Sequence, residues 1–200
     1  MNQIFKSNNK FMSDNNSIKK RKYQIGVMGS AADLQYSKEI ETIAEKVGQL
    51  IAESGNITVY GAEKDYDSLS TAAARGAKSA NGLTVGVTYG KGKDIWDKDG
   101  NTDVLVVSGL ERGGGREFVL VNSCDGVIAI SGGSGTMTEM LVAYQLNIPV
   151  IAMQGTGGWA EKMVGEYFDD RKRLKAIGAS TPEEAVEKII GLIKEYEERK

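Results

Sequence analysis

The chain has 200 residues, a net charge of −2, one cysteine and no histidine. Without histidine, Ser-His-Asp and Cys-His nucleophiles, imidazole bases and His-ligated zinc or iron are excluded. A single Cys124 likewise excludes an internal disulfide and a cysteine-cluster metal site.

The charge is uneven. Residues 1–22 carry Lys6, Lys10, Lys19, Lys20, Arg21 and Lys22 against Asp14, a balance of +5 that leaves −7 for the rest. The first 22 residues read as a disordered basic leader, rich in Asn, Ser and Lys and without periodicity. Residues 23–200 read as a single domain. Its acidic balance makes nucleic acid an unlikely partner. No run is long and apolar enough for a membrane span, and Met1 opens no signal-peptide pattern; the expected location is cytoplasmic. Glycine at 25 residues with only 2 prolines points to tight backbone turns around a ligand.

From Tyr23 the sequence predicts a strand (Tyr23–Met28), the turn Gly29-Ser30, and a helix over Tyr36–Ser54 closed by Gly55. Ile57–Tyr60 reads as a strand, Leu69–Ser79 as a helix, Leu83–Val87 and Val104–Val107 as strands. Arg116–Ser123 reads as a short helix, Gly126–Ile130 as a strand, Gly135–Leu146 as a helix and Pro149–Met153 as a strand. Helices over Trp159–Phe168 and Thr181–Glu198 follow, the last opened by Thr181 with Glu184 in capping-box spacing and by Pro182. Alternating strands and helices imply an α/β, Rossmann-like doubly wound sheet, mainly parallel, with helices on both faces. Ligands of such sheets lie beyond the carboxyl ends of the strands.

The sharpest turn is Ser131-Gly132-Gly133-Ser134-Gly135-Thr136-Met137-Thr138-Glu139, after the strand GVIAI. Gly132, Gly133, Ser134, Gly135 and Thr136 can turn N–H groups and a hydroxyl toward an anion at a helix N-terminus, phosphate being the natural guest. Lys followed by Ser or Thr is missing, so this is no NTPase P-loop. A glycine turn serving only helix–sheet packing is the competing reading. Gly113-Gly114-Gly115-Arg116-Glu117 opens the preceding helix, and Arg116 lies fifteen residues before Ser131. One short helix and one strand return it to the same edge, where Arg116 and Glu139 can share a cleft; a surface ion pair is its competing reading.

SGGSGTMTE resembles the PGGxGTxxE motif of the LOG-like proteins, often mislabelled lysine decarboxylases. The resemblance covers roughly Gln24 to Lys194. It implies a Rossmann-type fold and places Arg116 and Glu139 on the family's catalytic pair, as in nucleoside 5′-monophosphate phosphoribohydrolases. SCDGVIAISGGSGTMTE followed by IPVIAMQGTGGWAEKM is most similar to the branch of molybdenum-cofactor carrier proteins, related more distantly to DprA/Smf proteins. What it implies is a binding or carrier protein for a phosphorylated, nucleotide-like ligand, molybdenum cofactor or a nucleotide, with no cofactor required and no metal site. The alternative is a phosphoribohydrolase using Arg116 and Glu139. Gly29, Ser30, Gly61 and Gly157 complete the expected ligand-binding set, and a homodimer or homotetramer is expected. The helix face Met137, Met140, Leu141 and Tyr144 could serve that contact; at helical spacing its Met and Tyr residues read as core or as subunit contact.

Three departures stand out. Ser131 replaces the motif's proline. The family's upstream GGGxxGxM turn is Gly61-Ala62-Glu63-Lys64-Asp65-Tyr66-Asp67-Ser68-Leu69-Ser70 here, three acids and a lysine in place of N–H-presenting glycines. Of the MHxRK stretch only the arginine has a counterpart, and no pyridoxal-phosphate lysine motif supports a decarboxylase. Two further features stay open: Asp97, Asp99, Asn101 and Asp103 alternate like the start of a calcium loop but also like a polar loop. Gly155-Thr156-Gly157-Gly158-Trp159 fits either a pocket wall or a plain turn. Cys124 reads as a small buried hydrophobe.

Overall fold

A computed structural model describes residues 21–199. Residues 1–20 of the expected leader lie outside it. Arg21 forks onto Asp125 through Nη1–Oδ2 (2.7 Å) and Nη2–Oδ1 (2.5 Å) contacts.

The strands are β1 (Gln24–Gly29), β2 (Ile57–Gly61), β3 (Leu83–Thr88), β4 (Val104–Val107), β5 (Gly126–Ile130), β6 (Val150–Met153) and β7 (Ile177–Ala179). They form one parallel sheet in the order β4-β3-β2-β1-β5-β6-β7. The helices are α1 (Lys38–Glu53), α2 (Leu69–Ser79), α3 (Arg116–Asn122), α4 (Ser134–Gln145), α5 (Gly158–Met163) and α6 (Pro182–Glu198). This is the Rossmann-like α/β architecture the alternating pattern implies.

Period-two alternation along the strands assigns their side chains to two cores. Ile25, Val27, Ile128 and Ile130 face α1, α2 and α6, meeting Val47, Ile51, Leu69 and Ile189. Met28, Val127 and Ala129 face the other side, meeting Leu120, Met140, Ala143 and Ala160 of α3, α4 and α5. All five residues of β5 are buried, as its unbroken apolar run requires. Two glycines serve packing instead of a ligand. A Cβ on Gly48 would strike the Ala73 backbone, and one on Gly76 the Glu45 backbone, so this pair lets α1 and α2 touch.

Capping residues set the helix starts. Ser37, Ser68 and Thr181 accept N–H bonds from Ile40, Thr71 and Glu184. The reciprocal bond of the last cap comes from the Ser180 N–H to Glu184 (2.7 Å), one residue before the expected position. Gly55 ends α1 in the left-handed region, as expected. The expected helix over Trp159–Phe168 stops at Met163, where Val164 turns extended and Gly165 adopts a positive φ. The three residues of β7 were not foreseen: IGA is too short to show a strand period.

The sheet order reverses direction between β1 and β5, whose registers run Ile25↔Gly126 to Gly29↔Ile130. Their carboxyl ends are where a doubly wound sheet opens its ligand crevice.

Candidate functional site

At that point lies a cavity of about 320 Å³. The β1 turn contributes Gly29, Ser30, Asp33 and Leu34, and the β5–α4 turn Gly133, Ser134, Gly135, Thr136 and Glu139. Glu63 from the β2–α2 loop, Arg112 and Gly113 before α3, and Arg116 and Glu117 at its start close the other side.

Hydroxyl bonds hold the β5–α4 turn. Ser131 and Gly132 both have positive φ, 56° and 98°. The Gly132 N–H donates to Ser30 Oγ (2.8 Å), whose hydroxyl donates to Ser131 Oγ (3.1 Å). The Ser131 N–H donates to Thr156 Oγ1 (2.8 Å), and Trp159 and Ala160 donate to the Gly132 and Ser131 carbonyls, both at 2.9 Å. The Gly155–Trp159 turn thus buttresses the site turn from behind. Gly157 is exposed outside the cavity, and Gly132 sits in the buttress instead of the lining.

Gly133 is the N-cap of α4, and no side chain caps it. The first N–H groups of a helix have no intrahelical partner, so Ser134, Gly135 and Thr136 present donors beside the cavity, backed by the positive end of a twelve-residue helix.

Arg116 faces them and is only 4 % exposed. Its Nη2 donates to Glu63 Oε1 at 3.1 Å; its Nε lies 3.7 Å from Glu117 and its Nη1 4.0 Å from Glu139. The Nε and Nη1 atoms make no hydrogen bond among the described residues. Gly61 lies outside the cavity but gives this guanidinium its room, since a Cβ there would collide with Nη1. Glu63 Oε2 also accepts from Arg112 Nη1 (3.0 Å), which donates to Tyr66 Oη as well (2.9 Å). One carboxylate therefore bridges both arginines of the cavity.

Glu139, 7 % exposed, has its carboxyl pushed up to about 7 by burial; Arg116 opposes the rise, and Glu117 and Glu63 add to it. Near neutrality it is poised to hold or release a proton. The Cys124 thiol is also pushed up by burial, and its Sγ donates to the Leu120 carbonyl at 3.2 Å, a small core residue as expected.

The structure thus brings Gly29, Ser30, Gly133, Ser134, Gly135, Thr136, Arg116 and Glu139 to one cavity. Glu63, Arg112, Glu117 and Asp33 join them unforeseen. Arg112 directly precedes the triple glycine and Glu117 follows Arg116, a proximity that could have marked them; nothing local marks Asp33.

The alternating acids behave as a polar loop. Asp97 accepts from Asn101 and Thr102, and Asp103 from Lys78 and Thr84. Among the described residues no group of three or more His, Cys, Asp or Glu is placed to hold a metal ion. No helix of the described residues is long and apolar enough to cross a membrane. One expectation needs correction: Met140 and Tyr144 are fully buried in the chain's own core, Tyr144 stacked on Phe168, so they cannot form an outer contact face.

Fold and crevice together define a Rossmann-like α/β domain with a ligand cavity at its topological switch point. More narrowly, the chain belongs to the SLOG cluster4 family, whose sequence model matches residues 22–186. It is similar to the crystal structure of the structural-genomics target TM1055 (30% identity, TM-score 0.74, 84% of this chain and 99% of that one). It is also similar to the molybdenum cofactor binding protein from the phototrophic bacterium Rippkaea orientalis (30%, 0.71, 86% and 98%). The molybdenum cofactor carrier protein from Chlamydomonas reinhardtii matches at 29% identity and TM-score 0.70, over 87% and 99% of the two chains. DNA processing protein A from Streptococcus pneumoniae shares the fold alone, at 20% identity and TM-score 0.61.

Proposed function

We propose that the protein binds a small phosphorylated, nucleotide-like ligand, as a carrier and not as a nucleic-acid partner. One observation carries this reading: an uncapped helix N-terminus and a buried arginine, two of whose nitrogens have no hydrogen-bond partner, line the same cavity. Backbone donors, a helix dipole and a guanidinium together suit a phosphate. Molybdenum cofactor is the ligand that the structural neighbours' names suggest, and its phosphate would sit against Ser134, Gly135 and Thr136 with Arg116 beside it.

Native mass spectrometry of the purified protein should reveal a retained phosphorylated small molecule. Calorimetry should give measurable affinity for nucleoside monophosphates and at least tenfold less for the parent nucleosides. Equal affinity for both would place the recognition away from phosphate and overturn the reading.

A second reading, phosphoribohydrolase activity, is favoured by Glu139 alone, a buried carboxyl poised near neutrality beside Arg116. Arg116 would hold the substrate while Glu139 stabilised the developing charge or activated water. Nucleobase release from a panel of monophosphates tests it; Glu139→Gln should abolish that release, since no histidine exists to replace the carboxylate.

A further inference from the structure

The two cations lining the cavity, Arg112 and Arg116, are both held by one side chain, Glu63. Each oxygen of that carboxylate takes one guanidinium, at 3.0 and 3.1 Å. This is the geometry in which an external oxyanion would be gripped by two arginines. The segment carrying Glu63 is pinned: the Ala62 N–H donates to the Val87 carbonyl (3.0 Å) and the Trp96 N–H to the Glu63 carbonyl (2.7 Å). The backbone is thus fixed, and the carboxylate is the one group that hydrogen-bonds both arginines.

We propose that Glu63 is a specificity-determining residue: its carboxylate occupies the anion position between Arg112 and Arg116 and must be displaced by the ligand's phosphate. The inference rests on the phosphate-site reading above and adds a selection rule to it. A carboxylate ligand exchanged for Glu63 replaces like with like and gains nothing from the arginines. A dianionic phosphate monoester carries more charge and a third acceptor oxygen, which can reach the N–H groups of Ser134 and Gly135 while the arginines hold the others. Glu63 therefore excludes simple carboxylates and weakens every phosphate by the work of its own displacement.

Calorimetric titration of inorganic phosphate, a nucleoside monophosphate, its nucleoside and succinate into wild type, Glu63→Gln and Glu63→Asp tests this. Glu63→Gln should bind phosphate and the monophosphate roughly 10- to 150-fold more tightly, the range of one charge-assisted contact regained. The nucleoside should be unchanged, which a general loosening of the cavity would not give. Succinate should bind Glu63→Gln and not wild type. Glu63→Asp, too short to span both arginines, should fall between; it also serves if melting shows that Glu63→Gln does not fold. Phosphate binding in wild type with equal or weaker binding in both variants overturns the role of Glu63 and leaves the phosphate site standing. No phosphate binding to any of the three proteins overturns the phosphate site and this inference with it.

Discussion

Two arginines in this molecule are each surrounded by three carboxylates, and they are handled in opposite ways. Arg75 of α2 donates two bonds to Asp67 (both 2.9 Å), one to Glu45 (3.2 Å) and one to Glu41 (2.5 Å), with about a quarter of its side chain exposed. Arg116 is buried, bonds Glu63 alone, and stands 3.7 and 4.0 Å from its other acids. The first centre is complete: every guanidinium nitrogen has a partner, and it ties α1 to the start of α2. The second is incomplete where burial makes incompleteness most costly. A fold tolerates such an arrangement where a ligand finishes it.

The contrast can be sharpened by breaking each centre. Arg116→Ala should lower unfolding stability most, by about 3 kcal/mol near pH 8, because it strands buried acids. Arg75→Ala, at a partly solvated site, should cost about 1–2 kcal/mol. Urea melts of the two variants compare them; a larger loss in Arg75→Ala would contradict the ranking of the two centres by burial.

Glu139 gives a pH test of the Arg116 centre. Folding raises this carboxyl from 4.5 to about 7, so the folded state holds the proton more tightly than the unfolded one. The resulting stabilisation is full below about pH 4.5 and is lost as pH rises through 7, amounting to roughly 3 kcal/mol across that window. Relative to wild type, Glu139→Gln should therefore gain stability steadily from pH 4.5 to 7.5. A wild-type-minus-variant difference that stays flat over that range would show that the carboxyl is not raised.

Arg21→Ala should have the smallest effect, under about 1 kcal/mol in the same melts, since its Asp125 partner is reached across an exposed surface. A loss as large as that of Arg75→Ala would mean that Arg21 clamps the sheet through Asp125.

How legible all this was in the sequence follows the same division. Strands such as GVIAI and PVIAM, and the glycine turn after the former, announce themselves locally, because burial on both faces demands continuous apolar runs and a close turn demands glycine. The pairing of Arg116 with Glu139 could be read from spacing, since one helix and one strand must return to the same sheet edge. The resemblance to LOG-like proteins sharpened both. Glu63 was visible only as a departure from the family's turn; its partnership with Arg112 and Arg116 joins residues 49 and 53 positions apart in the chain. For Met140 and Tyr144 helical spacing leaves core and subunit contact both open, because it cannot tell a core-facing stripe from an outward one; burial decides for the core. Gly61, expected in the ligand-binding set, lies outside the cavity and makes room for the arginine.

The central claim is that the incomplete arginine centre is a phosphate site and the complete one is not. Calorimetry of a nucleoside monophosphate and its nucleoside against Arg116→Ala and Arg75→Ala tests it most directly. Loss of one charge-assisted contact of about 1.5–3 kcal/mol should weaken the monophosphate roughly 10- to 150-fold in Arg116→Ala and leave the nucleoside nearly unchanged. Arg75→Ala should bind both as wild type does. Equal losses for both ligands in Arg116→Ala, or a phosphate-selective loss in Arg75→Ala, would contradict the account.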